Sequence, residues 1–193
     1  ITGVPRGVFA YLSRGIKEKV SVPVIASHRI NDPYTARDMI GDGMCDMVAM
    51  GRSLIADPFL PEKARGGRDD QIVHCIACAQ GCFDNLFKLK AVECLCNPKA
   101  GREKETRPIP VAQPKRVMVI GGGPAGMSAA LAAAERGHKV TLYEQSDRLG
   151  GQLHLAGAPP GREEFVVLAH DLSKQIALSP VTVRLQQSVD EAL

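Results

Sequence analysis

Four cysteines occupy a spacing that is typical of metal ligands. Three lie within eight residues as C-x2-C-x3-C, and eleven residues separate the third from the fourth: Cys75, Cys78, Cys82 and Cys94. Thiols grouped this closely in a chain with few cysteines generally bind metal rather than form disulfides. Structural zinc sites usually pair two C-x2-C elements, whereas three grouped thiols with a remote fourth favour an iron–sulfur cluster, which transfers single electrons. On spacing alone zinc remains the alternative, and Cys96 leaves the fourth ligand open, although we favour Cys94.

A glycine-rich run further along the chain is suited to a dinucleotide cofactor. The run GGGPAG follows an apolar stretch predicted to be a buried strand at 117–120 and opens a helix predicted at 125–136. A first glycine permits the tight turn, a second lets backbone N–H groups reach a pyrophosphate, and a third lets the helix pack closely on the strand. The predicted contacts are Gly121, Gly123, Pro124, Ala125 and Gly126.

Two later features narrow the choice of cofactor. Glu144 ends the next predicted strand, 140–143, where it would accept hydrogen bonds from a ribose hydroxyl, and this favours FAD or NAD over NADP. A second glycine turn, LGGQL, follows and resembles the second flavin-contacting loop of flavoproteins with two dinucleotide-binding domains. It adds Gly151 and Gln152 as predicted FAD contacts. A helix at 163–176 and a strand at 181–185 would continue this fold.

The elements ahead of the cysteines alternate between helix and strand. The pattern predicts a helix at 7–20, a strand at 24–26, a helix at 35–40 and a strand at 46–50. Asp32 is the expected N-cap of the second helix, with Pro33 at its first position. Continuous apolar runs favour parallel strands buried on both faces. Two strands cannot close a sheet, so only the tail of a (βα)8 barrel would be present.

The loops after these two strands are candidates for phosphate binding. In such barrels the loops after the last two strands commonly hold a phosphate, because backbone N–H groups converge there. Arg29 follows the first strand, and Gly51 and Arg52 follow the second. Glycine permits close approach, and arginine offers a bidentate donor to phosphate oxygens. On the residues alone, an arginine in a surface loop explains the pattern equally well. Among the histidines, His28 is the one that lies beside this loop.

Composition excludes several other classes of protein. With 24 basic and 21 acidic residues the net charge is +3, too balanced to predict a nucleic-acid surface. No apolar run reaches the length of a membrane span, and no secretory signal opens the chain, so we expect a cytoplasmic location with reduced thiols. The proline-rich stretch 107–114 is expected to be a linker, and Cys45 a small buried apolar residue.

Taken in order, the motifs resemble one family of flavoproteins. The segments HRINDP, GRSLIADP, CIACAQGC, CLCNP, GGGPAG, YE and LGGQ are similar to the family that contains bacterial 2,4-dienoyl-CoA reductase and trimethylamine dehydrogenase. The resemblance spans essentially the whole chain. It implies an α/β protein made of the C-terminal part of an FMN-binding TIM barrel at 1–70, a 4Fe-4S cysteine segment and linker at 71–114, and the first half of a Rossmann-like FAD-binding domain at 115–193.

The resemblance also implies site residues and partners. It assigns the cluster to the four cysteines and the FMN phosphate to Arg29, Gly51 and Arg52. FAD would be bound by the two glycine loops and Glu144. A pyridine nucleotide and a small-molecule substrate are the implied partners, with the oligomeric state open.

The implied activity is an electron relay. Electrons from NAD(P)H would pass through FAD and the cluster to FMN and reduce an activated C=C bond, which also needs an acid to protonate carbon. One alternative runs the relay in reverse, in an amine or betaine dehydrogenase or demethylase. Another is a zinc-stabilised nucleotide-binding module without catalysis.

The chain itself is expected to be an internal fragment. It opens on Ile1, and the substrate pocket with the catalytic residues would lie upstream. Because both folding units would then expose unpaired sheet edges, we predict that the isolated fragment aggregates.

Overall fold

Short parallel strands flanked by helices make up both halves of the chain in the computed structural model, which describes residues 3–190. The chain divides into two compact units, residues 1–100 and 101–193. Both are of the predicted α/β class. Among the described residues, no helix is both long enough and apolar enough to cross a membrane.

The first unit pairs two strands in parallel and surrounds them with helices. Strand β1 (Ile25–Ala26) lies beside β2 (Met47–Val48), with Ile25 opposite Met47. The helices are α1 (Ala10–Lys17), α2 (Pro33–Gly41), α3 (Gly51–Ala56), α4 (Leu60–Arg65) and α5 (Phe83–Phe87), and a 3-10 turn covers Asp69–Gln71. The order of helix and strand up to β2 is as predicted, whereas the sequence indicated no element for α4 and α5.

Helix α1 is shorter than the predicted helix at 7–20. Gly7 has a φ of +65°, outside the helical region, and its N–H donates to the carbonyl oxygen of Arg29 at 2.9 Å. This bond ties the chain ahead of α1 to the loop after β1. Behind α1 lies a small core of Ala10, Ala26, Ile30, Ala36, Met39 and Cys45, so the prediction that Cys45 is buried is confirmed.

Asp32 caps helix α2 as predicted. Its Oδ1 accepts a hydrogen bond from the backbone N–H of Thr35 at 2.8 Å, and its Oδ2 accepts one from the Thr35 hydroxyl at 2.7 Å. Pro33 occupies the first turn, where a missing N–H costs nothing.

Replacing Asp32 with alanine is expected to weaken the start of α2 by about 1 to 2 kcal/mol. Hydrogen exchange at the Thr35 amide should therefore become about 5- to 30-fold faster. Asp42, exposed at the other end of α2, is the matched control. Its alanine variant should change that rate by less than about twofold, and equal rates in the two variants would refute the capping role.

The second unit contains a three-stranded parallel sheet in the order β3-β4-β5. Its elements are β3 (Arg116–Ile120), α6 (Pro124–Glu135), β4 (Lys139–Tyr143), α7 (Leu153–Ala156), α8 (Glu164–Ala177) and β5 (Thr182–Arg184). The predicted strands and the two longer helices are present within a few residues, and α7 is an addition. The core of this unit includes Met127, Ala130, Leu142, Leu168 and Ile176, all fully buried.

The prediction that the strands are buried on both faces is wrong. Ile25 in β1 and Met47 in β2 are exposed, and in the edge strand β3 the side chain of Ile120 is 66% exposed. Each of these strands has an inward and an outward face instead. An apolar run shows that a strand could be covered on both sides, but the covering elements have to come from elsewhere in the structure.

Candidate functional site

The predicted cysteine ligands line a single cavity in the first unit. Cys75 and Cys78 lie in an irregular loop, Cys82 is the residue before α5, and Cys94 follows in the next loop. All four are half-buried with free thiols. Cys96 lines the same cavity and is only 5% exposed. The spacing of the four cysteines in the sequence predicted that they act together. In the fold they line the same cavity.

Backbone N–H groups point at three of the thiols. The N–H of Ala77 is hydrogen-bonded to Cys75, that of Gln80 to Cys78, and that of Asn97 to Cys94. Positive φ angles at Ala77 and Ala79, +53° and +60°, accompany this turn of the loop. Hydrogen bonds to cysteine sulfur stabilise the thiolate form and tune the potential of iron–sulfur clusters.

Burial and hydrogen bonding act in opposite directions on these thiols. Burial raises the pKa of Cys75 and Cys78, against the N–H bonds and, for Cys75, the charge of Arg52. A hydrogen bond from Cys96 lowers the pKa of Cys94, and the same bond together with burial raises the pKa of Cys96. Cys96 is the more deeply buried residue of this pair, whereas Cys94 is half-buried at the cavity.

The donor set consists of cysteine thiols on the wall of one cavity. Within residues 3–190, no three His, Cys, Asp or Glu side chains converge on one position for a metal ion. A single zinc needs its sulfurs about 2.3 Å away, around a point. A four-iron cluster instead takes one thiolate at each of four corners, around a volume. Thiolate sulfur is the donor that an iron–sulfur cluster takes, so the chemistry of the four side chains fits such a group.

Close packing at Gly81 holds the two cysteine loops together. The Glu93 N–H donates to the Gly81 carbonyl oxygen at 2.8 Å. A Cβ added at Gly81 would lie 2.6 Å from the Glu93 carbonyl oxygen and 2.7 Å from its carbon, both backbone atoms that cannot rotate away. No sequence signal indicates this role, because nothing distinguishes Gly81 from other loop glycines.

Replacing Gly81 with alanine is expected to push Cys82 and Cys94 apart and to lower the iron content of the protein by at least about half, because overpacking displaces backbone. Iron per chain after anaerobic purification is the measurement. Gly15→Ala is the control, since Gly15 lies inside α1 with nothing within 4 Å of the added Cβ. Full iron loading of Gly81→Ala would contradict the proposed packing.

The three predicted phosphate-binding residues lie in different surroundings. Gly51 is the exposed first residue of α3. Arg29 is 7% exposed, has a φ of +54°, and donates from Nε to the Val4 carbonyl oxygen at 2.6 Å. Arg52 lies over the Phe83 ring, 5.3 Å from its centre, and lines the cysteine cavity. The link between Arg52 and the cysteines could not be predicted, because it joins segments more than twenty residues apart.

A buried carboxylate that the sequence analysis missed anchors the cysteine segment. Asp57 accepts hydrogen bonds from the Val73 N–H at 2.9 Å and from Lys63 at 2.6 Å, and it is almost fully buried. Val73 lies two residues before Cys75. The Asp-Pro pair after α3 was a signal for a turn, but it did not indicate this long-range contact.

In the second unit, the GGGPAG run forms the turn between β3 and α6. Gly121 has a φ of +99°, and a Cβ at Gly126 would lie 1.9 Å from the Gly121 carbonyl oxygen. Gly123 is the N-cap of α6, and nothing lies within 4 Å of a Cβ built on it. The turn is therefore tight on its inner side and open where the helix begins, which suits an anionic group at the N-terminus of α6.

Glu144 is held at the end of β4 by donors from its own unit. Its carboxylate accepts from the Gly122 N–H at 2.6 Å and from the N–H and hydroxyl of Ser146, both at 2.8 Å. These bonds, led by the Ser146 N–H, lower the pKa of Glu144 against the effect of burial. The predicted ribose acceptor is thus already hydrogen-bonded by the residues around it.

The second glycine turn packs against the first. The Gly150 N–H donates to the Gly122 carbonyl oxygen at 2.9 Å, and a Cβ on Gly151 would lie 3.1 Å from the Gly123 Cα. Gln152, next along, shares an open cavity of about 500 Å³ with Pro124 and Phe165. Predicted contacts from both loops thus meet at one cavity. Ala125 is exposed in the first turn of α6.

Comparison with known proteins supports two flavin-linked segments. Residues 9–71 match the sequence profile of the NADH:flavin oxidoreductase / NADH oxidase family, and residues 116–177 match that of FAD dependent oxidoreductases. A metal reductase from Desulforamulus reducens is 53% identical over 86% of this chain and 25% of its own length. A cinnamate reductase from Clostridium sporogenes is 40% identical over 82% of this chain and 24% of its own length.

Solved structures and an amine-oxidising relative extend the comparison. An N,N-dimethylglycine/sarcosine dehydrogenase from Chromohalobacter salexigens is 40% identical over 97% of this chain and 28% of its own length. A 2-naphthoyl-CoA reductase complex matches with a TM-score of 0.92 and 34% identity, over 97% of this chain and 29% of that one. Histamine dehydrogenase from Rhizobium sp. 4-9 matches with a TM-score of 0.89 and 30% identity, over 97% and 28%.

The chain therefore spans about a quarter of the length of these relatives. The resemblance that the motifs predicted is confirmed by reductases and amine dehydrogenases alike. Residues 9–71 of this chain belong to the NADH:flavin oxidoreductase / NADH oxidase family, and residues 116–177 to the FAD dependent oxidoreductases.

Proposed function

We propose that this chain is the electron-transferring part of an NAD(P)H-dependent oxidoreductase that reduces activated C=C bonds. When bound, FAD, a 4Fe-4S cluster and FMN would carry electrons one or two at a time from a pyridine nucleotide to the alkene. The single observation that carries the proposal is the cavity lined by Cys75, Cys78, Cys82 and Cys94, with backbone N–H groups on its thiols.

The residues of this chain would bind and orient these groups. The four cysteines would hold the cluster, with Cys94 favoured over its hydrogen-bond donor Cys96. Gly123 would leave room for the FAD pyrophosphate, and Glu144 would accept from the ribose. Arg29, Gly51 and Arg52 would form the FMN phosphate site at the tail of a TIM barrel. In that arrangement the Arg52 side chain, which borders the cysteine cavity, would place positive charge between the two groups.

The direction of electron flow is proposed from the glycine loops. The run GGGPAG is intact, Gly123 is open, and the adjoining cavity reaches Gln152. A site able to take a dinucleotide flavin supports entry of electrons from a pyridine nucleotide. The cinnamate reductase among the relatives supports an activated alkene as acceptor.

Amine oxidation is the second candidate. The dimethylglycine/sarcosine dehydrogenase and the histamine dehydrogenase favour it, since both are named for C–N substrates. The same residues would then release electrons through the cluster. An aromatic or apolar cage for the amine would be needed.

Anaerobic half-reactions of the holo-protein that carries this chain distinguish the two. We expect NADH or NADPH to bleach the flavin absorbance and an α,β-unsaturated acid or thioester to restore it. Secondary and tertiary amines should leave the oxidised flavins unchanged. Bleaching by an amine, with no reoxidation by any alkene, would overturn the reductase proposal in favour of the dehydrogenase.

A further inference from the structure

Two asparagine side chains link the segments after β1 and β2 to the loops that carry the cysteines. One of them reaches towards a cysteine loop, and the other reaches from one. Asn31, in the loop after β1, donates from Nδ2 to the carbonyl oxygen of Cys75 at 2.8 Å. Asn97, in the loop after Cys94, donates from Nδ2 to the carbonyl oxygen of Ile55 in α3 at 2.9 Å. The first bond therefore joins the loop after β1 to the loop that carries Cys75, and the second joins α3, the helix after β2, to the loop that follows Cys94.

Asn31 is placed where an apolar residue would be expected. It is 3% exposed, and its Oδ1 has no hydrogen-bond partner within residues 3–190. A buried acceptor without a partner is unfavourable, and leucine would fill a similar space without that cost. What asparagine adds at this position is the donor to Cys75.

The bond from Asn31 bears directly on a predicted ligand. An N–H donor on the Cys75 carbonyl draws electron density away from the residue that holds the metal, and it fixes the backbone from which the thiolate projects. Hydrogen bonds to the residues that hold a metal orient its ligands and tune the metal's properties. The Asn97 bond fixes the other cysteine loop from the opposite direction, because there the cysteine loop supplies the side-chain donor and α3 supplies the backbone carbonyl.

We propose that Asn31 and Asn97 are positioning residues that fasten the cysteine loops to the loop after β1 and to α3, and thereby set the reduction potential of the cluster. The proposal rests on the proposed function, because it presupposes a cluster at the four cysteines. Neither asparagine touches the reacting atoms. Their effect passes through Cys75 and through the segment that carries Cys94.

The test is a redox titration of the cluster, followed by electron paramagnetic resonance, in the iron-loaded holo-protein. Asn31→Leu removes the donor, so reduction should become about tenfold less favourable, a fall of about 59 mV for one electron. Asn31→Asp keeps the shape and adds negative charge, so its potential should fall at least as far. Asn97→Leu should shift the potential in the same direction by a smaller factor.

Asn85 offers a matched control. Its Nδ2 also donates to a backbone carbonyl, that of Ala91 at 2.9 Å, but this bond stays within the cysteine segment. Asn85→Leu should change the reduction equilibrium by less than about twofold.

Three outcomes decide the matter. An unchanged potential in iron-loaded Asn31→Leu or Asn31→Asp would overturn the proposal. Loss of iron from both variants, with flavins still bound, would support a positioning role, since the cysteines themselves are untouched. Absence of iron from the unaltered protein would instead refute the proposed function, so the two failures are distinguishable.

Discussion

Replacing Cys82 with serine is expected to remove nearly all of the iron from the protein. A neutral hydroxyl is a poor substitute for a thiolate at a cluster corner, and the other three thiols lack the fourth partner on the wall of the same cavity. Because electrons could then no longer leave the FAD side singly, NAD(P)H-dependent alkene reduction should fall by at least about a hundredfold, or about 2.7 kcal/mol.

Cys45→Ala is the control for that variant. Cys45 is also a free cysteine of the first unit, but it lies in the small core behind β1 and not at the cavity. Its replacement should cost about 1 kcal/mol of stability and leave the iron content unchanged. Iron and activity that survive in Cys82→Ser would exclude Cys82 as a ligand.

Two glycine variants are expected to separate folding from FAD binding in the second unit. Gly126→Ala would place a Cβ 1.9 Å from the Gly121 carbonyl oxygen, so it should destabilise this unit by about 3 kcal/mol or more. Gly123→Ala meets no atom within 4 Å and has a φ of −73°, so its cost should stay below about 1 kcal/mol.

The FAD affinity of Gly123→Ala is the direct test of the FAD site, because this variant is expected to keep its fold. In Gly123→Ala the new methyl group occupies the open side of the turn, where the pyrophosphate would lie. Its FAD affinity should fall by at least about tenfold, 1.4 kcal/mol, although the fold is kept. Titration of the deflavinated protein with FAD gives the affinity, and hydrogen exchange in β3 and β4 gives the stability. Unchanged affinity in Gly123→Ala would refute the FAD site at this turn.

Local signals in the sequence predicted the helices and strands well, but they predicted the burial of those elements poorly. Asp32 and Pro33 predict the start of α2, because capping involves only residues three or four positions apart in the sequence. The glycine run predicts the β3–α6 turn because it, too, is a local pattern. Ile120, by contrast, is apolar yet exposed, because its burial depends on a covering element and not on its own strand.

The sequence predicted the candidate metal ligands, but it did not predict the residues that hold the cysteine segment in place. Cysteine spacing is itself a local pattern, so the four thiols could be named together. Asp57, Gly81 and Asn31 act on residues far along the chain, at Val73, Glu93 and Cys75. An isolated aspartate, glycine or asparagine carries no sign of such a partner, and only the fold reveals it.

Metal analysis of the anaerobically purified holo-protein tests the central claim most directly, namely that the four cysteines hold an iron–sulfur cluster. The account predicts about four iron atoms and as many acid-labile sulfides per chain, with a paramagnetic signal on one-electron reduction. One zinc per chain, without iron and without that signal, would contradict it.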